Sequence, residues 1–284
     1  MLRLFTVLSV LLLPLTTLGS DLKPRHIESE IAAIHQSKTL QQDHLIYLVD
    51  QGRVVKIKAS NTELLREVQL LKELGHQAAF DVDSDSNVLS ITDLKTKAAS
   101  YAAIPQAAPG EYVPTLVANL EVATAIFKEL NPNARSSSQC YNRAHVWSYE
   151  EKQRRDLNTM KVFLFFTDRY IRDYNYHWWF HVSPFVLVQE GAQVKERVID
   201  WEFLYSPYFM KDWTDYFIQS KEECPSVKKY ADYDEHQEEH DCYIIKKSMY
   251  YWQPRDIETF DQTGQEKQSF IPDEVDAAYR QGFW

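Results

Sequence analysis

The chain has little cysteine and little glycine: only three cysteines and seven glycines occur in 284 residues. That is too few cysteines for a disulfide-scaffold protein and too few glycines for a collagen-like or low-complexity chain. The remaining composition, 44% hydrophobic and 25% charged, is that of a globular protein with one large domain or two ordinary ones. Because the cysteine count is odd, at least one cysteine has no partner within the chain.

Basic side chains are also in the minority. The sequence has 31 Lys and Arg against 41 Asp and Glu, which gives a formal net charge of −10. An acidic chain repels phosphate groups, so this balance argues against nucleic acid or an anionic membrane surface as a partner.

Long apolar runs are absent except at the N terminus. Leu4–Leu18 is mostly apolar behind a positively charged start, and the small residues Gly19 and Ser20 follow it. The run is shorter than the ~20 residues of a membrane-spanning helix. Residues 1–20 are therefore interpreted as a cleaved secretory signal peptide, with an uncleaved N-terminal anchor as the alternative. The expected location is secreted or periplasmic, off the membrane after cleavage, where cysteines tend to pair.

Residues 40–95 have the pattern of a small ββαββ domain. The β-branched runs His44–Val49 and Arg53–Lys58 are joined by a glycine-containing turn, as in a hairpin. Apolar residues then recur at helical spacing from Asn61, a residue suited to N-capping, to Leu74. Two further strands are expected at 78–82 and 87–94. This unit holds no set of catalytic side chains, so its expected role is contact.

Residues 96–111 are rich in Ala, Pro and Ser, which is typical of a linker or a protease-accessible connection. The expected organisation is a signal peptide over 1–20, an N-terminal domain with its linker over 21–110, and a second domain over 111–284. A short helix from Glu121 to Leu130 is expected early in the second domain.

One cysteine, Cys140, lies at an expected helix start. Ser136, Ser137 and Ser138 supply N-cap candidates, and the stretch that follows to about Leu157 lacks glycine and proline. Free backbone N–H groups and the positive helix end stabilise a thiolate, and they can also bind an oxyanion. The alternative is a small buried helix residue or a disulfide partner.

A histidine and an aspartate are expected to meet across a later hairpin. Extended runs on either side of a turn near Glu190 and Gly191 predict antiparallel strands in which His181 faces Asp200. Directly opposed residues share a sheet face with Cβ atoms about 5 Å apart, so the carboxylate can orient the imidazole.

These three residues form the nucleophile, base and orienting acid of thiol acyl-transfer enzymes. The set occurs in papain-like and transglutaminase-like folds, so it predicts an α+β hydrolase domain and a reaction type rather than a substrate. His145 and His177 are rival bases, but His145 lies about 140° round the helix from Cys140 and should point elsewhere. Trp178 and Trp179 are candidate walls of the substrate slot, with aromatic core packing as the alternative.

The run His236-Gln237-Glu238-Glu239-His240 formally matches a zinc-peptidase pattern. Such a site needs both histidines on one helix with a protected apolar face, whereas acidic residues flank this run on both sides. A solvated charged stretch is favoured, so no metal site is expected, and catalytic zinc is the weaker alternative. A non-enzymatic binding protein is a third possibility, which the contact role of the first domain favours.

Three motifs occur within residues 112–205: Cys-Tyr-x-Arg-Ala-His at 140–145, Trp-x-x-His-Val at 178–182 and Arg-Val-Ile-Asp at 197–200. Together they resemble the secreted bacterial protein-glutaminases, also called protein-glutamine deamidases. The resemblance implies a catalytic triad of Cys140, His181 and Asp200 on a transglutaminase-like core, working without a cofactor. It also implies deamidation of exposed glutamines in proteins or peptides, and an N-terminal pro-region that covers the site until removed. Transamidation or peptide-bond cleavage by the same triad stays open.

The three cysteines can then be divided between two roles. Cys224 and Cys242 lie eighteen positions apart in a tail without a match in this resemblance, and joining them would close a loop that stabilises the fold by about 3 kcal/mol. Cys140 then stays unpaired, as a nucleophile must.

Overall fold

The structure is a computed structural model that describes residues 24–36, 43–50, 52–97, 112–135 and 137–283. The predicted signal peptide, most of the predicted linker and Ser136 lie outside the described residues. No helix in the described ranges is both long enough and apolar enough to cross a membrane.

The first domain is a five-stranded antiparallel sheet with one helix. Its elements are β1 (Arg25–His35), β2 (His44–Leu48), β3 (Val54–Ile57), α1 (Thr62–Leu74), β4 (His76–Val82) and β5 (Val88–Lys97). The spatial order is β3-β2-β1-β4-β5, so the central strand is one that the ββαββ prediction lacks. That prediction was therefore incomplete, and β5 also extends into the stretch expected to be linker.

The sequence does not indicate strand β1, because its alternating pattern is only partly apolar. Ile27, Ser29 and Ile31 are buried on one face, and the residues between them include two glutamates. The first half of β1 pairs with β4, from Arg25 opposite Val82, and the second half pairs with β2. One strand thus joins the two hairpins into a single sheet.

The first sheet is buried on both faces, as alternate residues of β2 show. Ile46 and Leu48 pack with Val68 and Leu71 of α1. Tyr47, whose side chain points the other way, belongs to the core of the second domain. Helix α1 begins at Asn61, whose side chain accepts from the Leu64 N–H, and ends at Gly75 in the left-handed conformation. Because both faces are covered, the apolar run at 44–49 is continuous rather than alternating.

The second domain places helices around a six-stranded sheet, so the chain has the expected mixed α+β class. Its elements are β6 (Leu116–Val117), α2 (Leu120–Lys128), α3 (Cys140–Arg155), β7 (Met160–Phe166), α4 (Asp168–Asp173), β8 (Phe180–Glu190), β9 (Gln193–Val198), β10 (Tyr208–Phe209), α5 (Met210–Phe217), α6 (Tyr230–Glu235), β11 (Cys242–Ser248), α7 (Pro254–Thr263) and α8 (Pro272–Gly282). The strand order is β10-β9-β8-β7-β11, and β6 pairs in parallel with β8.

The predicted hairpin is β8 and β9, but its register is shifted. Glu190 pairs with Gln193, so the turn is Gly191-Ala192, one residue later than expected. The pairing ends at Phe185 opposite Val198, and Asp200 lies beyond the strand. The prediction that Asp200 is on a strand was therefore wrong.

The C-terminal part of the chain completes the domain. Strand β11 pairs with β7, and a disulfide joins Cys224 to Cys242 with Cα atoms 5.0 Å apart, which leaves Cys140 as a free thiol. Helix α8 packs along α3, where Gly282 lies directly against the Cβ position of Asn142. The expected disulfide is thus present, and the last described helix supports the helix that begins with Cys140.

Candidate active site

Cys140 is the first residue of α3, as predicted. The preceding residue, Gln139, is the extended N-cap position, and no described side chain makes a capping hydrogen bond to this helix. The expectation of a serine cap was therefore wrong, at least for the serines that the structure describes. The thiol is partly exposed at the start of a sixteen-residue helix, whose positive end attracts negative charge.

His181 is held on β8, in the middle of the sheet. The imidazole is only 2% exposed, and its Nε2 lies 2.7 Å from Oδ2 of Asp200. Aromatic rings surround it: Phe217 at 4.5 Å between centroids, Phe203 at 5.1 Å and Trp178 at 6.2 Å. With Nε2 engaged by the carboxylate, Nδ1 is the nitrogen left for proton transfer.

Asp200 reaches His181 from a turn rather than from a strand. The carboxylate is buried, and the indole N–H of Trp213 donates to the same Oδ2 over 2.9 Å. The backbone carbonyl of Asp200 accepts from the N–H groups of Phe203 and Leu204, which closes the turn. Two donors thus hold one carboxylate oxygen, so Asp200 can orient His181 and stabilise its charged form.

The charge of His181 follows from two opposing influences. Burial, the largest single one, disfavours the imidazolium, but the Asp200 carboxylate and its hydrogen bond, together with Cys140, raise the pKa from 6.5 to about 9. The ring is therefore protonated near neutral pH. A protonated imidazole beside a thiol at a helix start is the arrangement that activates cysteine nucleophiles.

Cys140 and His181 line a cavity of about 290 Å³, and Asp200 contacts His181 without lining it. Its lining residues are Arg53, Ser137, Ser138, Gln139, Cys140, Arg143, Trp178, Phe180 and His181. Of the two tryptophans predicted as walls, Trp178 lines the cavity and Trp179 does not. Trp179 is 2% exposed, donates to the Leu48 carbonyl and stacks on Tyr47. Trp179 therefore packs the two domains together instead of contacting the cavity.

The first domain contributes one wall of the cavity. The Val54 N–H donates to the His177 carbonyl and the Trp179 N–H donates to the Gly52 carbonyl, each over 2.9 Å. These hydrogen bonds place Arg53 opposite Trp178 in an isolated antiparallel β-bridge. Both residues line the cavity together with Cys140 and His181. Gly52 has φ +57°, and a Cβ there would lie 3.1 Å from the Phe180 ring, so a larger residue would crowd this approach.

Further contacts fix the first domain around the cavity. His35 lies between two carboxylates of the second domain, 2.8 Å from Asp168 and 3.3 Å from Asp234. The Tyr141 hydroxyl, one residue after Cys140, donates to the Asp50 carbonyl over 2.9 Å. Polar contacts of His35 and Asp50 therefore hold the first domain against the second at two further places.

The rival histidines lie away from Cys140. His145 is fully buried on the far side of α3, where Nδ1 accepts from Lys161 over 2.9 Å, and burial lowers its pKa well below 6.5. His177 lies at the domain interface, 3.2 Å from the Ser86 hydroxyl. The prediction that His145 points elsewhere is confirmed.

The His236–His240 run does not form a helix with two histidines on one face. Helix α6 ends at Glu235, His236 interacts with the Asp232 carbonyl over 2.7 Å, and His240 lies 2.7 Å from Glu222. No group of three or more His, Cys, Asp or Glu side chains in the described ranges is arranged to hold a metal ion.

Three residues at the site were not predicted from the sequence to be functional: Arg53, Arg143 and Trp213. Arg53 and Trp213 approach the site from distant segments, and no local pattern indicates that. Arg143, by contrast, lies one helical turn after Cys140 within a motif already singled out, so its helical spacing was a usable signal.

The chain is similar to known glutaminases in part of its sequence and in its fold. Residues 121–217 match the family model described as Glutaminase. Among solved structures, pro-protein-glutaminase is similar with a TM-score of 0.50 and 10% identity, covering 81% of this chain and 84% of that one. A mutant of pro-protein-glutaminase has a TM-score of 0.52 and 10% identity, covering 89% and 99%. No curated protein matches the sequence.

At 10% identity the solved structures show the fold alone, which extends over both domains. The family match is independent of them and includes Cys140, His181 and Asp200. Residues 121–217 therefore match a glutaminase family model, and the chain as a whole shares the fold of pro-protein-glutaminase structures.

Proposed function

We propose that this protein is a cysteine-dependent protein-glutaminase, which converts glutamine side chains of proteins or peptides to glutamate and releases ammonia. The observation that carries the proposal is that Cys140 and His181 line one cavity while Asp200, 2.7 Å from Nε2 of His181, supports the imidazole. The glutaminase-family match supports a glutamine carboxamide as the group that is attacked.

In the proposed mechanism, the Cys140 thiolate attacks the carbonyl carbon of the carboxamide, and the oxygen becomes an oxyanion near the start of α3. Backbone N–H groups at a helix start can stabilise that charge. Collapse of the intermediate breaks the C–N bond, and the His181 imidazolium gives its proton to the departing ammonia. A thioester of Cys140 remains.

The second half of the proposed reaction restores the enzyme. Neutral His181 takes a proton from water, the hydroxide adds to the thioester carbon, and the C–S bond breaks to give glutamate and the thiolate. Asp200 keeps the imidazole oriented through both halves and stabilises it when charged. Transamidation differs only in that an amine replaces water.

We also propose that the first domain keeps the enzyme inactive until it is removed. The hydrogen bonds of Gly52 and Val54 to the 177–179 segment put Arg53 in the cavity wall, where a substrate would approach. Two of the similar solved structures are of pro-protein-glutaminase, which supports a covering role. Cleavage within 98–111, followed by release of the first domain, would open the cavity. Export by the predicted signal peptide fits the disulfide.

The test is ammonia release from a glutamine-rich protein such as casein, before and after cleavage at a protease site placed within 98–111. We expect ammonia only after cleavage and release, and none from Cys140→Ala. Asp212→Asn, which replaces an acidic residue of α5 outside the cavity lining, is the control variant and should keep full activity. Equal ammonia release by the wild type and Cys140→Ala would refute the proposed nucleophile.

Two further readouts separate the alternative reactions of the same triad. Incorporation of a labelled primary amine into casein would indicate transamidation, and new N termini without ammonia would indicate a thiol peptidase. Activity that survives in Cys140→Ala but is lost with a chelator would favour the zinc alternative at His236 and His240.

A further inference from the structure

The cavity contains a buried arginine that the proposed triad does not use. Arg143 is 7% exposed and lies three residues after Cys140 on α3, so the two side chains share one face of the helix. Its Nη1 donates to the Ser138 carbonyl at 2.5 Å and to the Ser138 hydroxyl at 2.9 Å. Its Nε has no hydrogen-bond partner among the described residues.

This guanidinium has no counterion in the described part of the chain. Both of its hydrogen-bond acceptors on Ser138 are neutral, and none of the described residues that line the cavity is acidic. A second cation, Arg53, lines the same cavity, and the positive end of α3 adds to the field. Burying an unpaired cation is costly, because water no longer solvates it. The cavity therefore favours an anion.

We propose that Arg143 forms a carboxylate-binding subsite next to Cys140. A carboxylate is planar and accepts two parallel hydrogen bonds, which suits the planar guanidinium of Arg143 better than it would suit an ammonium group. The subsite is argued from the cavity alone, and its role in catalysis rests on the proposed function.

Two carboxylates could occupy the subsite during the proposed reaction. One is the glutamate side chain that deamidation itself creates beside Cys140, which would make product release slow. The other is an acidic residue next to the target glutamine, which would make the enzyme select glutamines in acidic sequences. Both share the chemistry that Arg143 recognises, and the two can be distinguished by competition.

The test compares alkylation of Cys140 by iodoacetate and by iodoacetamide in the full chain. In each reaction the thiolate sulfur bonds to the CH₂ carbon, the C–I bond breaks and iodide leaves. Cys140 is the one free thiol, since Cys224 and Cys242 are joined, so mass spectrometry reports on a single residue. The two reagents differ in charge, and their rate ratio cancels changes in thiolate reactivity or in access.

We expect the ratio of iodoacetate to iodoacetamide rates to exceed that of N-acetylcysteine by about tenfold, the size of effect expected for one nearby cation in a partly buried site. Arg143→Gln should lower the ratio severalfold, with a remainder due to Arg53, the imidazolium of His181 and the helix start, and Arg143→Lys should retain more of the ratio than Arg143→Gln. Arg154→Gln is the matched control: it removes a half-exposed arginine from the same helix, paired with Glu150 at 2.8 Å. It should leave the ratio unchanged.

Three outcomes would overturn the subsite. They are a wild-type ratio no higher than that of N-acetylcysteine, an unchanged ratio in Arg143→Gln, and a loss caused by Arg53→Gln alone. The first needs no variant, so the proposal is testable even if Arg143→Gln does not fold.

Competition then identifies the source of the carboxylate. N-acetylglutamate amide carries the product carboxylate, and N-acetyl-glutaminyl-aspartate amide carries a neighbouring one; N-acetylglutamine amide is the neutral reference. We expect at least one acidic probe to slow alkylation more than the neutral one, and the stronger of the two identifies the source. If neither does, in the full chain or after cleavage within 98–111 and release of the first domain, the subsite is refuted. Because no turnover is measured, this result is independent of whether ammonia release is found.

Discussion

Replacing Asp200 with Asn tests the electrostatic part of the proposed triad most directly. The substitution keeps the size of the side chain but removes the negative charge that opposes the effect of burial on His181. The pKa of His181 is about 9 with the carboxylate present, against 6.5 for an unperturbed imidazole. Without the carboxylate, burial is opposed only by Cys140, so the pKa should fall from about 9 toward 6.5.

The size of the effect follows from that difference. At about 1.4 kcal/mol for each tenfold change in an ionisation constant, the fall corresponds to about 3 kcal/mol of lost stabilisation of the imidazolium. Because the folded-state pKa is raised, this stabilisation is fully present below about pH 6.5 and is lost as the pH rises through about 9. At pH 8 the wild-type ring is mostly protonated, whereas the ring in Asp200→Asn is mostly neutral.

The assay is the pH dependence of ammonia release by the cleaved enzyme, together with ¹⁵N NMR of the His181 ring. We expect the alkaline limb of the wild-type profile near pH 9, and below pH 7 in Asp200→Asn. Trp213→Phe is the matched control, since it removes the other hydrogen bond to Oδ2 but keeps the charge. An alkaline limb that stays near pH 9 in Asp200→Asn would refute the assignment of Asp200 as the group that holds the proton on His181.

Two further predictions concern the proposed covering role of the first domain and the disulfide. Gly52→Val should speed alkylation of Cys140 by iodoacetamide in the uncut chain severalfold, because a β-branched residue at φ +57° costs about 1–3 kcal/mol and its side chain meets the Phe180 ring. Gly191→Val is the control, since Gly191 has φ +60° but no neighbour within 4 Å of its Cβ position, and it should not change the alkylation rate. Equal acceleration by both variants would contradict the role of the close approach between Gly52 and Phe180. Replacing Cys224 and Cys242 together by Ser should lower the free energy of unfolding by about 3 kcal/mol in denaturant titrations and leave Cys140 alkylation in the folded chain unchanged; an unaltered unfolding midpoint would contradict a stabilising role for the bridge.

The parts of this protein that depend on local spacing could be predicted from its sequence. Asn61 and Gly75 mark the ends of α1, and the run after Gln139 predicts a helix that begins with Cys140. These features require only neighbours a few residues apart, so a single sequence contains the information.

Features that depend on distant segments could not be predicted. The expected register placed His181 opposite Asp200 on a strand, whereas the strand ends at Val198 and a turn brings the carboxylate back to the ring. The contact between His181 and Asp200 is present, but the strand register from which it was predicted was wrong. The bridge between Arg53 and Trp178 joins segments more than one hundred residues apart, and no local pattern indicates it.

The position of α8 on α3 has a consequence for how the enzyme is made. The first domain precedes Cys140 in the chain, whereas Gln281, Gly282 and Phe283 follow it, and they contact Asn142 and the segment at Ala134 that leads into the nucleophile helix. During vectorial synthesis the first sheet can therefore form before α3 receives its last packing partner. Under the proposed covering role, inhibition would then precede completion of the site, and the producing cell would never contain an uncovered active form.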